Sequence, residues 1–183
     1  MRSRSIAVGI AAALLAVAGC TEEKPPAKLP PVSVVQQPAA SAGGACILWD
    51  YGLLKKTLGV TFTVAASQSI GDTSTCVVQT EGGDAPYLVL SVVESTKADA
   101  ATFLDAAMPA KATKVKGLGK AGYRLVRKPA RGYGHSIEIG WLSDAGQVQT
   151  LTYTFAKGAP RDQVDQGSAR LVSLAKALST TAG

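Results

Sequence analysis

The chain holds three cysteines and one histidine, the side chains whose types most readily do chemistry. Cys20 stands directly after Val17-Ala18-Gly19, at the close of an apolar run that begins at Ile6. Cys46 and Cys76 show no C-x-x-C spacing, so a dithiol redox centre is disfavoured. His135 precedes Ser136, and aspartates occur elsewhere, so a Ser-His-Asp hydrolase is one reading. No G-x-S-x-G elbow presents a serine, however, and a lone histidine beside Tyr133 and glycines reads more simply as a loop or strand-edge residue. No cluster of His, Cys and carboxylates has metal-ligand spacing, so neither a metal nor another cofactor is expected.

Two further stretches bear on binding. Gly117-Leu118-Gly119-Lys120-Ala121-Gly122 fits G-x-G-x-x-G by letter. That motif cradles a pyrophosphate only where a helix follows, and Tyr123-Arg124-Leu125-Val126 reads as strand. The glycines are therefore expected to shape a tight loop. From Ala106 to Ile137 the chain carries Lys111, Lys114, Lys116, Lys120, Arg124, Arg127, Lys128 and Arg131 and no acid. The whole chain has a formal net charge of +6, and this window supplies the excess. Such a run suits an anionic surface, and equally a set of lysine-guarded strand edges. Trp49, Tyr51, Tyr87, Tyr123, Tyr133, Trp141 and Tyr153 are expected mostly in the core, with a pocket lining as the alternative.

The N-terminus has the three parts of an export signal: Arg2 and Arg4 without an acid, an apolar run from Ile6 to Val17, and small residues before Cys20. The run is too short to cross about 30 Å of hydrocarbon. Val17-Ala18-Gly19-Cys20 resembles the lipobox of bacterial lipoproteins. The resemblance implies a signal peptide over 1–19, lipid on Cys20, and a protein anchored on the extracytoplasmic face of the cell membrane. A plain secretory signal or a buried apolar helix are the other readings. With Cys20 lipidated in an oxidising compartment, Cys46 and Cys76 are left to pair as a structural disulfide. Nucleic acid is then excluded as a partner.

The remainder of the chain must position these residues. Residues 20–44 are rich in Pro and Ala and read as an extended tether, with the domain expected from Ala45 to Gly183. Ile47, Tyr51, Leu54 and Leu58 predict a helix from Cys46 to Leu58, stopped by Gly59. Strands are predicted over Val60–Ala66, Thr75–Thr80, Tyr87–Val93, Thr113–Val115, Gly122–Arg127, His135–Leu142 and Gln147–Phe155, with a loop over Ser67–Ser74. Thr96 is read as the cap of a second helix reaching Met108. Pro160 opens a third, whose apolar face is Val164, Leu171, Leu174, Ala175 and Leu178. The fold class is α+β: a mainly antiparallel sheet of about six strands with three helices on one face, arranged as an α-β-β-β pseudo-repeat.

Cys20, Cys46 opening a helix, Cys76 on a strand, and Val115-Lys116-Gly117-Leu118-Gly119-Lys120-Ala121 before a strand together resemble small actinobacterial cell-envelope lipoproteins. That likeness brings no catalytic residues. Their function is uncharacterised, and the leading reading of this chain is a non-enzymatic, lipid-anchored binding or interaction module for an envelope component or another envelope protein. Lys114, Lys116, Lys120, Arg124, Arg127, Lys128 and Arg131 would contact an anionic lipid or cell-wall polymer. A carrier or sensor of an apolar ligand, and an envelope hydrolase using His135, are the alternatives.

Overall fold

Asp50 starts the first α-helix. Its side chain accepts a hydrogen bond from the Leu53 N–H at 2.6 Å and caps α1, Tyr51–Leu58. Gly59, at φ 75°, closes it in the left-handed conformation. The helix expected from Cys46 is therefore divided. Gly44–Leu48 form a separate 3-10 turn, and Trp49 is extended between the two. The computed structural model describes residues 36–94 and 97–181. The segment expected as a signal peptide, the expected lipidation residue Cys20, and Thr96 lie outside the described residues. No described helix is long and apolar enough to cross a membrane.

Seven strands form one sheet: β1 (Val64–Ile70), β2 (Thr73–Gln79), β3 (Tyr87–Val93), β4 (Thr113–Val115), β5 (Ala121–Arg127), β6 (Ser136–Leu142) and β7 (Val148–Thr154). Their order is β1-β2-β3-β7-β6-β5-β4, with every neighbouring pair antiparallel. The α+β class and the antiparallel sheet are as the sequence predicts; the strand count is seven rather than about six. Much of the stretch expected as a loop at Ser67–Ser74 is strand, because Gly71-Asp72 alone makes a two-residue turn closed by Ile70 opposite Thr73.

Alternation then sorts the side chains. Cys76, Val78, Leu88, Leu90, Val92, Leu151, Tyr153, Ile137, Ile139 and Trp141 point to one face and are buried there. Helix α3 (Arg161–Thr181) covers them with Val164, Leu171, Leu174, Ala175 and Leu178, beside α1 and the 3-10 turns. Helix α2 (Ala100–Ala107) lies on the opposite face, a correction to the one-sided packing expected. Its Phe103 stacks on Tyr123, with centroids 6.0 Å apart, and joins Leu142, and both partners alternate away from the main core. The cap of α2 is Asp99, which accepts from the Thr102 N–H at 2.8 Å. Helices α1 and α2 lie on opposite faces, and β7 stands between β3 and β6, antiparallel to both. The rest of the α2 face, over β1, β2, β3 and β7, carries Thr73, Thr75, Val77, Val89, Thr150 and Thr152 and is half-exposed.

Packing begins ahead of Ala45. Ala39–Ala42 form a 3-10 turn whose Ala39 is buried in the main core. The Gln36 side chain donates to the Phe62 carbonyl at 3.0 Å. Small residues that look like spacer in sequence are thus packing residues.

Gly140 faces Tyr123 across β5 and β6, and a Cβ there would overlap the tyrosine ring. Gly140→Ala is expected to cost about 1–3 kcal/mol, read from the denaturant midpoint. A change within a few tenths would contradict the packing described.

Candidate functional site

Cys46 and Cys76 are bonded, and both are fully buried. The bond pins the Gly44–Leu48 turn to β2. The thiols left open by their spacing are therefore consumed structurally, as expected. Chain-entropy reasoning gives a cross-link over this separation of 30 residues roughly 3–4 kcal/mol.

The basic run does not make one patch. Lys116 and Lys120 flank the β4–β5 loop, where the Lys176 amine of α3 also comes close: a Cβ on Gly117 would lie 3.7 Å from it. Lys128 and Arg131 lie beyond the other end of β5, about 20 Å away along a seven-residue strand. Between them two arginines are engaged. Arg124 donates to the Ser168 hydroxyl at 3.2 Å and ties β5 to α3. Arg127 pairs with Glu138 at 2.7 Å, and Glu138 also accepts from the Tyr123 hydroxyl at 3.1 Å. Lys114 is exposed on the short edge strand β4. The window of eight basic residues thus becomes a broken stripe along the β4–β5 edge.

The glycine-rich segment is a connector, as expected. Gly117 and Gly119 have φ of 66° and 52°, and a strand follows. Leu118 is buried as a plug, and the missing Cβ of Gly122 makes room for it. His135 extends the β6–β7 ladder, its carbonyl accepting from the Phe155 N–H at 2.9 Å. Ser136 therefore alternates to the other face, and the adjacent pair does not form a dyad.

A depression of about 240 Å³ at the β5–β6 turn collects the groups that remain. Tyr87, Thr154 and Ser136 are register neighbours on β3, β7 and β6 and lie on its floor. Lys128, Arg131 and Tyr133 rim it, and the Tyr87 and Tyr133 rings meet edge-on with centroids 5.7 Å apart. No carboxylate lines it; the nearby Glu138 is held by Arg127 and Tyr123. The hydroxyls of Tyr87, Tyr133, Ser136 and Thr154 make no hydrogen bond among the described residues. Two cations, free hydroxyl donors and two aromatic edges suit an anionic oxygen group on a hydroxylated carrier.

Arg131 itself is unusual. The Tyr133 N–H bonds the Ala130 carbonyl at 3.0 Å, with Arg131 at φ 53° and Gly132 at φ 85°. That is a type I′ turn, which favours Asn or Gly at its first central position. An arginine held there costs about 1–2 kcal/mol of backbone strain. The sequence marks Lys128 and Arg131 as basic and offers Tyr87 and Tyr133 as an alternative pocket lining; that Tyr87, Ser136 and Thr154 share one floor escapes it, because only sheet register brings them together. A second cleft, of about 370 Å³, lies at the opposite end of the sheet between Ile47, Leu48, Val92 and Gln147 and is mainly apolar. Of the aromatic residues, Trp49, Tyr123, Trp141 and Tyr153 are core, whereas Tyr87 and Tyr133 line the depression.

No family model matches the chain, and neither a curated protein nor a solved structure is significantly similar to it.

Burial, then the charge and hydrogen bond of Glu138, push the Tyr123 phenol far above its usual range, with Arg127 opposing. Burial pushes Tyr153 up to about 12. Both folded values exceed the unfolded one of about 10, so their stabilisation is complete below about pH 10 and is lost as pH rises through the folded values. The denaturant midpoint should fall as pH rises from about 10 toward about 12, and Tyr123→Phe should lessen that fall. An equal fall in the variant would contradict the assignment.

Proposed function

We propose that this chain is a non-enzymatic, lipid-anchored binding module on the extracytoplasmic face of the membrane, held through Cys20. Its ligand is an anionic envelope component, a phosphate or carboxylate on a hydroxylated carrier, taken at the Tyr87–Lys128–Arg131–Tyr133 depression. The same reading assigns it to the small actinobacterial envelope lipoproteins its sequence resembles.

One observation carries this. Gln36 bonds Phe62 just before β1, at the same end of the sheet as Tyr87, Ser136 and Arg131. A chain tethered through residues 21–35 would thus leave the domain at the end that carries the depression. About 15 residues at ~3.1 Å each set an upper limit of roughly 45 Å on the distance between Cys20 and that end. The buried disulfide supports an oxidising compartment. The apolar cleft beside Ile47 and Leu48 favours a second reading, a carrier of an apolar ligand.

The test is co-sedimentation of the full chain with anionic vesicles, neutral vesicles and isolated wall polymer, at low and high salt. Binding should be strong for one anionic source and weaken with salt. Arg131→Gly should raise stability by about 1 kcal/mol, because glycine removes the left-handed strain, yet weaken binding several-fold. Equal binding to neutral vesicles, or full affinity in Arg131→Gly, would overturn the assignment. Separately, Cys20→Ala is expected to move the protein out of the membrane fraction; retention there would count against the anchor.

A further inference from the structure

The two edges of the sheet are defended differently. The β4–β5 edge ends in a three-residue strand and carries Lys114, Arg127 and Lys128. The β1 edge is a regular seven-residue strand, Val64-Ala65-Ala66-Ser67-Gln68-Ser69-Ile70, with no charge and no proline. Long uncharged edges are what proteins avoid unless something pairs with them.

The direction of the free backbone groups follows from the ladder. The Glu94 N–H bonds the Asp72 carbonyl at 2.8 Å, which turns Asp72, Ser74, Cys76 and Val78 toward β3. Thr73, Thr75, Val77 and Gln79 therefore face β1 and bond Ile70, Gln68, Ala66 and Val64. The N–H and C=O groups of Ala65, Ser67 and Ser69 are left pointing outward. No described residue bonds them, and Ser67 and Ser69 are exposed.

The strand is also nearly self-complementary. Val64 and Ile70 are 49% and 69% exposed, among the few large apolar side chains left in solvent, and they lie equally far from Ser67 on one face. An antiparallel pairing of two β1 strands about a two-fold axis at Ser67 sets Val64 against Ile70 of the second copy, twice. Ala66 then meets Gln68, and Ala65 meets Ser69. The outward groups of Ala65, Ser67 and Ser69 bond their counterparts, which makes Val64–Ile70 a non-hydrogen-bonded pair, the closer kind. A one-residue slip would separate both apolar residues onto opposite faces.

We infer that β1 is a homodimerisation edge, at which a second copy of this chain adds antiparallel to β1 and joins two seven-stranded sheets into one. The opposite edge cannot serve, since its cations would face each other. The dimer edge is independent of the depression and its ligand, which lie elsewhere on the sheet.

Register-specific cross-linking tests it. Full-length Val64→Cys and Ile70→Cys chains are mixed and mildly oxidised. A non-hydrogen-bonded pair has a Cα separation of about 4.5 Å, within the range a disulfide spans. A covalent dimer should form in the mixture and not in either variant alone. Ile70→Lys, at an exposed site that should leave the circular dichroism unchanged, should weaken dimerisation at least about tenfold by sedimentation. Absence of cross-linking in the mixture, equal cross-linking of single variants, or a dimer unaffected by Ile70→Lys would each overturn the inference.

Discussion

The structure depends on the pairing of β3 with β7. The first three strands form one meander, and β4, β5 and β6 belong to another. They become one sheet only because β7 returns between β6 and β3, setting Leu90 and Ile139 on either side of Leu151. These side chains are fully buried, and α3, immediately after β7 in sequence, lays its apolar face on them. The last strand and the last helix thus complete a core that the first half cannot close alone. The contact is long in sequence, so its loop-closure cost is met only when burial across both meanders is gained together. The Cys46–Cys76 bond shortens the chain search at the other side by holding the N-terminal turn against β2.

Charge is distributed by the same topology. The basic window reads as one feature in sequence, yet β5 spreads it between two ends of the sheet. Arg124 and Arg127 are taken up by Ser168 and Glu138. Lys128 and Arg131 at the β5–β6 turn have no ion-pair partner among the described residues and stand beside hydroxyls contributed by β3, β7 and the strand start of β6. The strained Arg131 is the residue there whose identity folding alone does not favour.

Local signals carried much of this fold. The Ser143–Gly146 turn, the alternation in Tyr87–Val93 and Ser136–Leu142, and the apolar stripe of α3 are each visible within a few residues. The features that were not legible depend on distant residues. Asp50, rather than Cys46, begins α1 because a side-chain cap outweighs apolar spacing. Ala39 and Ala42 look like spacer until β1 is beside them. The side on which α2 packs is set by Tyr123 and Leu142, residues far along the chain from Phe103. The floor of the depression is likewise assembled by register, not by motif.

Whether function resides at the β5–β6 turn is tested most directly by amide hydrogen exchange on the full chain, with and without a soluble phosphate-bearing wall polymer. Binding at the depression predicts slowed exchange at 128–136 and around Tyr87, with 44–48 and the rest of the sheet unchanged. Slowing at 44–48, or no slowing anywhere at saturating polymer, would contradict it.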